Sequence, residues 1–185
     1  MRFESKKDEH QETDLTSLGD QGWYWYYPDW FWPEQIMEFK KLVNKNIQKN
    51  RVCWIDDEQG YKLMRPIQYQ IPALMGLNIN IEYIEPIQYM IYEEKEDHKV
   101  WYSGENTNGF IRKMVCVVQL SNEEDYEGCN HELILLKNGK PETESVKFPK
   151  NKGAILCFSS NAMIRCTSLI SGKRECLVCW FCGPY

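Results

Sequence analysis

Histidine is scarce in this chain: three in 185 residues, His10, His98 and His131. That scarcity limits any catalytic or metal site built on imidazole. The sequence has no G-x-S-x-G, no Walker-type glycine loop and no H-E-x-x-H. The common hydrolase, nucleotide-binding and zinc-protease signatures are therefore absent. Lys and Arg never cluster beyond pairs, and the net charge is −5. This argues against a nucleic-acid-binding surface. No apolar run approaches the length of a membrane span, and the N-terminus has no signal-peptide core. The expectation is a soluble cytoplasmic protein with no membrane contact.

What is present suits a globular fold. The chain is 43% hydrophobic, enough for a single domain with a substantial core. Eight cysteines fall mostly inside apolar, strand-like runs. They read as buried thiols in a reducing compartment rather than a disulfide framework. Aromatic residues make up 14%, with seven Trp and eleven Tyr. Residues 1–22 are polar and charged and read as a tail that is flexible alone; residues 23–185 read as the domain.

The aromatic stretch WYWYYPDWFW at 23–32 reads as a strand followed by a turn. Residues 33–48 read as a helix, with Pro33 suited to the first position and Ile36, Phe39 and Val43 near one face. A short strand at 51–55 and a turn at 56–60 follow. Pro66 and Pro72 predict that any helix over 65–79 is short or begins after Pro72. Strand pieces broken at Pro86 come next, then a polar link at 93–109. FIRKMVCVVQL at 110–120 is the strongest strand by β-branched content, and 131–136 is another.

Residues 153–184 hold three short apolar runs between turn signals: 154–158, 164–170 and 176–181. The turns are Ser-Ser-Asn and Ser-Gly-Lys. The order of Gly153, Phe158, Arg165, Ser171-Gly172, Arg174 and Trp180 resembles the C-terminal end of the 2-oxoglutarate, iron(II) dioxygenases of the prolyl-4-hydroxylase-like branch. Gln88-Tyr89, Tyr92, the 112–120 strand and Tyr126-Glu127-Gly128 extend the likeness over roughly residues 23–184. The resemblance implies a mainly β fold with N-terminal helices, a double-stranded β-helix or jelly roll.

In that family iron sits on two His and one carboxylate. The register that the resemblance implies puts those positions at Trp101, Ser103 and Ile164. Trp and Ile have no lone pair for a metal, and Ser is a poor ligand for Fe(II). A displaced site on His98 and His131, with a carboxylate such as Glu105, requires the 93–109 loop to fold differently. The family's 2-oxoglutarate arginine matches Arg174, and its partner hydroxyl is replaced by Cys176, a weaker donor. Cys176, Cys179 and Cys182 have zinc-like spacing, but strand alternation sends Cys179 to the opposite face.

The expectation from the degenerate triad is a non-catalytic member of the fold without cofactor. It would act as a structural or interaction module, in a phage virion or another assembly. Its partners would be further copies or other virion proteins, held by Trp23, Trp25, Trp30 and Trp32, by the tail and by the 93–109 loop. Two alternatives stand beside it. One is an active Fe(II) and 2-oxoglutarate-dependent hydroxylase with displaced ligands. The other is a small-anion sensor using Arg174.

Overall fold

The computed structural model describes residues 23–46, 52–93, 110–137, 140–146, 148–160 and 162–184. The tail 1–22 and most of the 93–109 link lie outside them, so Trp101, Ser103, His98 and Glu105 do as well.

Strand β1 (Tyr24–Tyr27) leads into helix α1 (Pro33–Asn46), then β2 (Val52–Ile55) and helix α2 (Glu58–Leu74). Nine strands follow: β3 (Tyr83–Ile84), β4 (Ile87–Glu93), β5 (Ile111–Gln119), β6 (Tyr126–Gly128), β7 (His131–Lys137), β8 (Lys140–Val146), β9 (Ile155–Ser159), β10 (Met163–Cys166) and β11 (Leu169–Gly183). The large sheet runs β1-β9-β5-β11-β4-β2, with β3 and β6 also paired to β11. The small sheet is β10-β7-β8. Every pairing is antiparallel.

Strand alternation gives the large sheet two apolar faces. One face, with Cys116, Val118, Ile155, Leu177 and Phe181, buries Phe39 and Leu42 of α1 and Met64, Ile67 and Ile71 of α2. The other, with Val115, Val117, Leu156, Phe158, Cys176, Val178 and Trp180, packs on Leu133, Val146 and Ile164 of the small sheet. Cys179 belongs to the first core, Cys176 and Cys182 to the second, so the three cannot converge on one ion. All eight cysteines are buried free thiols.

Two sequence expectations fail locally. The first concerns α2, which begins at Glu58 and runs through both Pro66 and Pro72. Asp57 caps it by accepting the Gln59 N–H at 2.8 Å, so the expected turn is a helix start. Pro66 breaks its bond to the carbonyl of Lys62, but both residues are exposed and water can satisfy that carbonyl. Burial of Met64, Ile67 and Ile71 outweighs the loss.

The second is the expected turn at Ser171-Gly172-Lys173, which is instead the interior of β11. Its first residues pair with β6, and from Lys173 onward it pairs with β4 and β5. Gly172 makes the change of partner possible. Its φ is 83°, and a Cβ there would lie 2.1 Å from the Asp125 carbonyl oxygen.

Candidate functional site

Two residues after that bend, Arg174 sits opposite Tyr92 of β4 and points between the sheets. It is 1% exposed, the largest fully buried side chain among the described residues. Burying a guanidinium carries a large desolvation penalty unless its charge is matched. Its Nε donates to Gln119 Oε1 at 3.1 Å, and one terminal nitrogen donates to Cys166 Sγ at 3.5 Å. Gln119 in turn donates from Nε2 to the Tyr126 hydroxyl at 2.8 Å. The rings of Tyr92 and Tyr126 flank the guanidinium carbon at 5.3 and 6.0 Å. The other terminal nitrogen has no partner among the described residues. No carboxylate among them neutralises this arginine.

The space in front of Arg174 is lined by Tyr92, His131, Phe158, Ile164, Cys166 and Val178, among others. Its volume is about 20 Å³, room for a single water. A larger groove, about 390 Å³, lies outside the sheets between the start of α1 and residues 122–124. It contains no buried polar atom in want of a partner.

Electrostatics around Arg174 follow from burial. His131 stacks edge-on to Phe148 at 5.2 Å. Burial pushes its pKa well below the ordinary value, and the nearby charges of Arg174 and Lys150 push the same way, so it is a neutral imidazole. Burial raises the Tyr126 phenol to about 12 against the opposing pull of Arg174. Cys176 is raised by burial to about 11. Cys166 moves the other way, down to about 7: a hydrogen bond from Cys129 outweighs burial, with Arg174 and Lys150 assisting.

The site residues read from the sequence fare differently. Arg174, Cys176 and Ile164 line one cavity. Trp101 and Ser103 lie outside the described residues. Trp23 is buried in the helix-side core, Trp25 and Trp30 are half-buried against it, and Trp32 is 69% exposed. Sequence reading passed over Gln119 and Cys166, and weighed His131 only as a ligand of a displaced metal site. His131 shares its face of β7 with buried Leu133, and that alternation was the available signal.

Arg174, the position that the resemblance gives to 2-oxoglutarate, lines this cavity and has one terminal nitrogen without a partner among the described residues. Iron is another matter. Ile164 offers no donor, and no group of three or more His, Cys, Asp or Glu side chains among the described residues could hold a metal. The described residues do not fit an iron centre.

No family model and no curated protein matches the sequence. Solved structures do. A viral collagen prolyl hydroxylase from Paramecium Bursaria Chlorella virus-1 matches with a TM-score of 0.64 at 14% identity, covering 100% of this chain and 99% of that one. A prolyl-4-hydroxylase from Pseudomonas putida matches at 0.60 and 13% identity, over 85% and 91%. An oxidoreductase of the 2OG-Fe(II) oxygenase family from Burkholderia pseudomallei matches at 0.60 and 11% identity, over 85% and 83%. These matches correct three expectations from the degenerate triad: a structural or interaction module, the absence of catalysis, and the absence of cofactors. These three structures are two prolyl hydroxylases, one of them viral, and a 2OG-Fe(II) oxygenase. A triad read in one register was too narrow a basis for reading the whole cavity as inactive. By its structure the chain has the fold of the prolyl-4-hydroxylase-like 2-oxoglutarate, iron(II) oxygenases.

Proposed function

We propose that this chain is a 2-oxoglutarate-dependent oxygenase whose metal ligands are displaced from the family's usual positions. The two facing sheets are read as its double-stranded β-helix. The observation that carries the proposal is the fully buried Arg174, which lines the inter-sheet cavity and has one terminal nitrogen without a partner among the described residues. A buried charge short of a partner is costly, and a carboxylate supplies the missing acceptor in a geometry the planar guanidinium favours. Gln119 holds the arginine's Nε, and Tyr126 holds Gln119, so the fork is oriented before any anion arrives. The cavity has space for one water, so a five-carbon diacid must move Ile164 or its neighbours outward as it enters. Because Ile164 cannot ligate iron, no catalytic step is assigned to a metal here.

The test is calorimetric titration of the full chain with 2-oxoglutarate, with and without Fe(II) under anaerobic conditions, followed by a succinate-release assay. The expected result is saturable binding that Arg174→Met weakens by about 100-fold, close to 2.7 kcal/mol. Absence of binding by the wild-type chain, or binding unchanged by Arg174→Met, overturns the proposal. Binding without succinate release under any metal condition rejects the oxygenase activity and leaves the anion site.

A further inference from the structure

Cys129 and Cys166 form a pair that the proposed anion chemistry does not use. Cys166 ends β10, and Cys129 lies in the short link between β6 and β7. Both thiols are buried in the inter-sheet core, and Cys166 lines the cavity. The link is tied to the chain beyond β10 by bonds from Cys129 N to the Ser168 carbonyl, 3.2 Å, and from Thr167 N to the Asn130 carbonyl, 2.8 Å. Cys129 has φ of 49°, the one non-glycine residue with positive φ among those described. An L-residue adopts that conformation rarely, and such strain collects at working positions. Cys129 and Cys166 belong to one buried cluster, and the bonds above hold their segments side by side. Arg174 donates to the Cys166 sulfur at 3.5 Å.

A permanent cation that donates to the sulfur favours a thiolate over a thiol. Four other buried cysteines have the opposite setting. Burial holds the Cys116, Cys176 and Cys179 thiols up, and that of Cys182 is raised to about 12. Cys166 is pushed down to about 7.

We infer that Cys166 and Cys129 are a hydroperoxide-reactive dithiol, with Cys166 the attacking sulfur and Cys129 the resolving one. In the first step the Cys166 thiolate attacks one oxygen of a hydroperoxide. The O–O bond breaks, Cys166 becomes a sulfenic acid, and the departing oxygen leaves protonated as water or alcohol. In the second step the Cys129 sulfur attacks the Cys166 sulfur. The S–O bond breaks, and water leaves with the Cys129 proton. The net change is two thiols oxidised to one disulfide as one peroxide is reduced. Cys166 lines the cavity and the backbone bonds keep Cys129 beside the chain that follows it, so the second step needs no large chain movement. This assignment does not depend on 2-oxoglutarate binding.

The experiment treats the reduced full chain with hydrogen peroxide, alkylates it under denaturing conditions and maps the peptides by mass. The expected product is a Cys129–Cys166 disulfide that forms ahead of oxidation elsewhere and is reversed by dithiothreitol, with the circular dichroism of the folded chain retained. In Cys129→Ser, dimedone should trap a sulfenic acid on Cys166; in Cys166→Ser, Cys129 should stay reduced. Arg174→Met should slow Cys166 oxidation by about tenfold or more. Oxidation spread evenly over the cysteines, or both thiols still fully alkylatable while others oxidise, overturns the inference. The wild-type map decides the matter even if a variant fails to fold.

Discussion

Two arginines of the large sheet, Arg112 of β5 and Arg174 of β11, are kept in opposite ways. Arg112 meets Glu85 through two bonds, Nε at 2.8 Å and a terminal nitrogen at 2.6 Å. Cys182 also donates to that carboxylate at 3.2 Å, and the guanidinium lies 4.6 Å over the Trp180 ring. Charge, geometry and packing are all matched there. Arg174 is buried more deeply but has a neutral amide, a sulfur and two aromatic rings, with one nitrogen left over. A fold that can satisfy one arginine with a carboxylate leaves the second without one. The difference separates a structural clamp from a site for which we propose an acceptor from outside.

The largest effect should come from breaking the clamp. Glu85→Leu leaves Arg112 without its counter-ion in a partly buried position and should cost about 2–4 kcal/mol in urea unfolding. The double variant with Arg112→Met should recover most of that loss. A small effect of the single variant would erase the contrast between the two arginines. Next comes the bend that aims Arg174. Gly172→Ala puts a Cβ against the Asp125 carbonyl at a positive φ and should cost roughly 2 kcal/mol.

His131 gives a smaller, pH-dependent effect. Its folded pKa is depressed by burial, so between that value and its ordinary value the unfolded chain binds more protons than the folded one. Stability should therefore fall as pH drops below about 6.5, by at most about 1.4 kcal/mol per pH unit from this residue. His131→Phe should flatten the slope between pH 6.5 and 5.5, read from urea midpoints. The smallest change in stability belongs to Arg174→Met. Removing an incompletely paired buried charge should leave the melting temperature unchanged or raise it, by about 0–1 kcal/mol. A marked loss of stability would make Arg174 a second clamp and remove the contrast.

Much of the fold was legible along the chain. The 110–120 run became β5, and the piecewise strands around Pro86 became β3 and β4. The Pro33 start gave α1, described from Pro33 to Asn46. Helix α2 was missed because a proline rule for isolated helices was applied to one held by Met64, Ile67 and Ile71. The continuity of β11 was missed because Ser-Gly is a turn signal whenever the chain must reverse. Here it only changes partner, from β6 to β4 and β5. At the site, Arg174 and Ile164 could be picked out by register, whereas Gln119, His131 and Cys166 look like ordinary strand residues until both sheets are in place.

The sequence by itself determined which side chains share a face. Period-2 alternation in β11 assigns Arg174, Cys176, Val178 and Trp180 to one side and Leu177, Cys179 and Phe181 to the other, whatever lies beyond the strand. It also determined that Ile164 cannot ligate a metal, because that depends on composition alone. Only the tertiary structure decided what those faces meet. Arg174 and Cys166 touch because β11 and β10 lie in different sheets packed face to face, and the segment of Cys129 is tied beside the chain after Cys166. Such contacts join residues far apart in the chain, and no local pattern encodes the absence of a carboxylate beside a buried guanidinium.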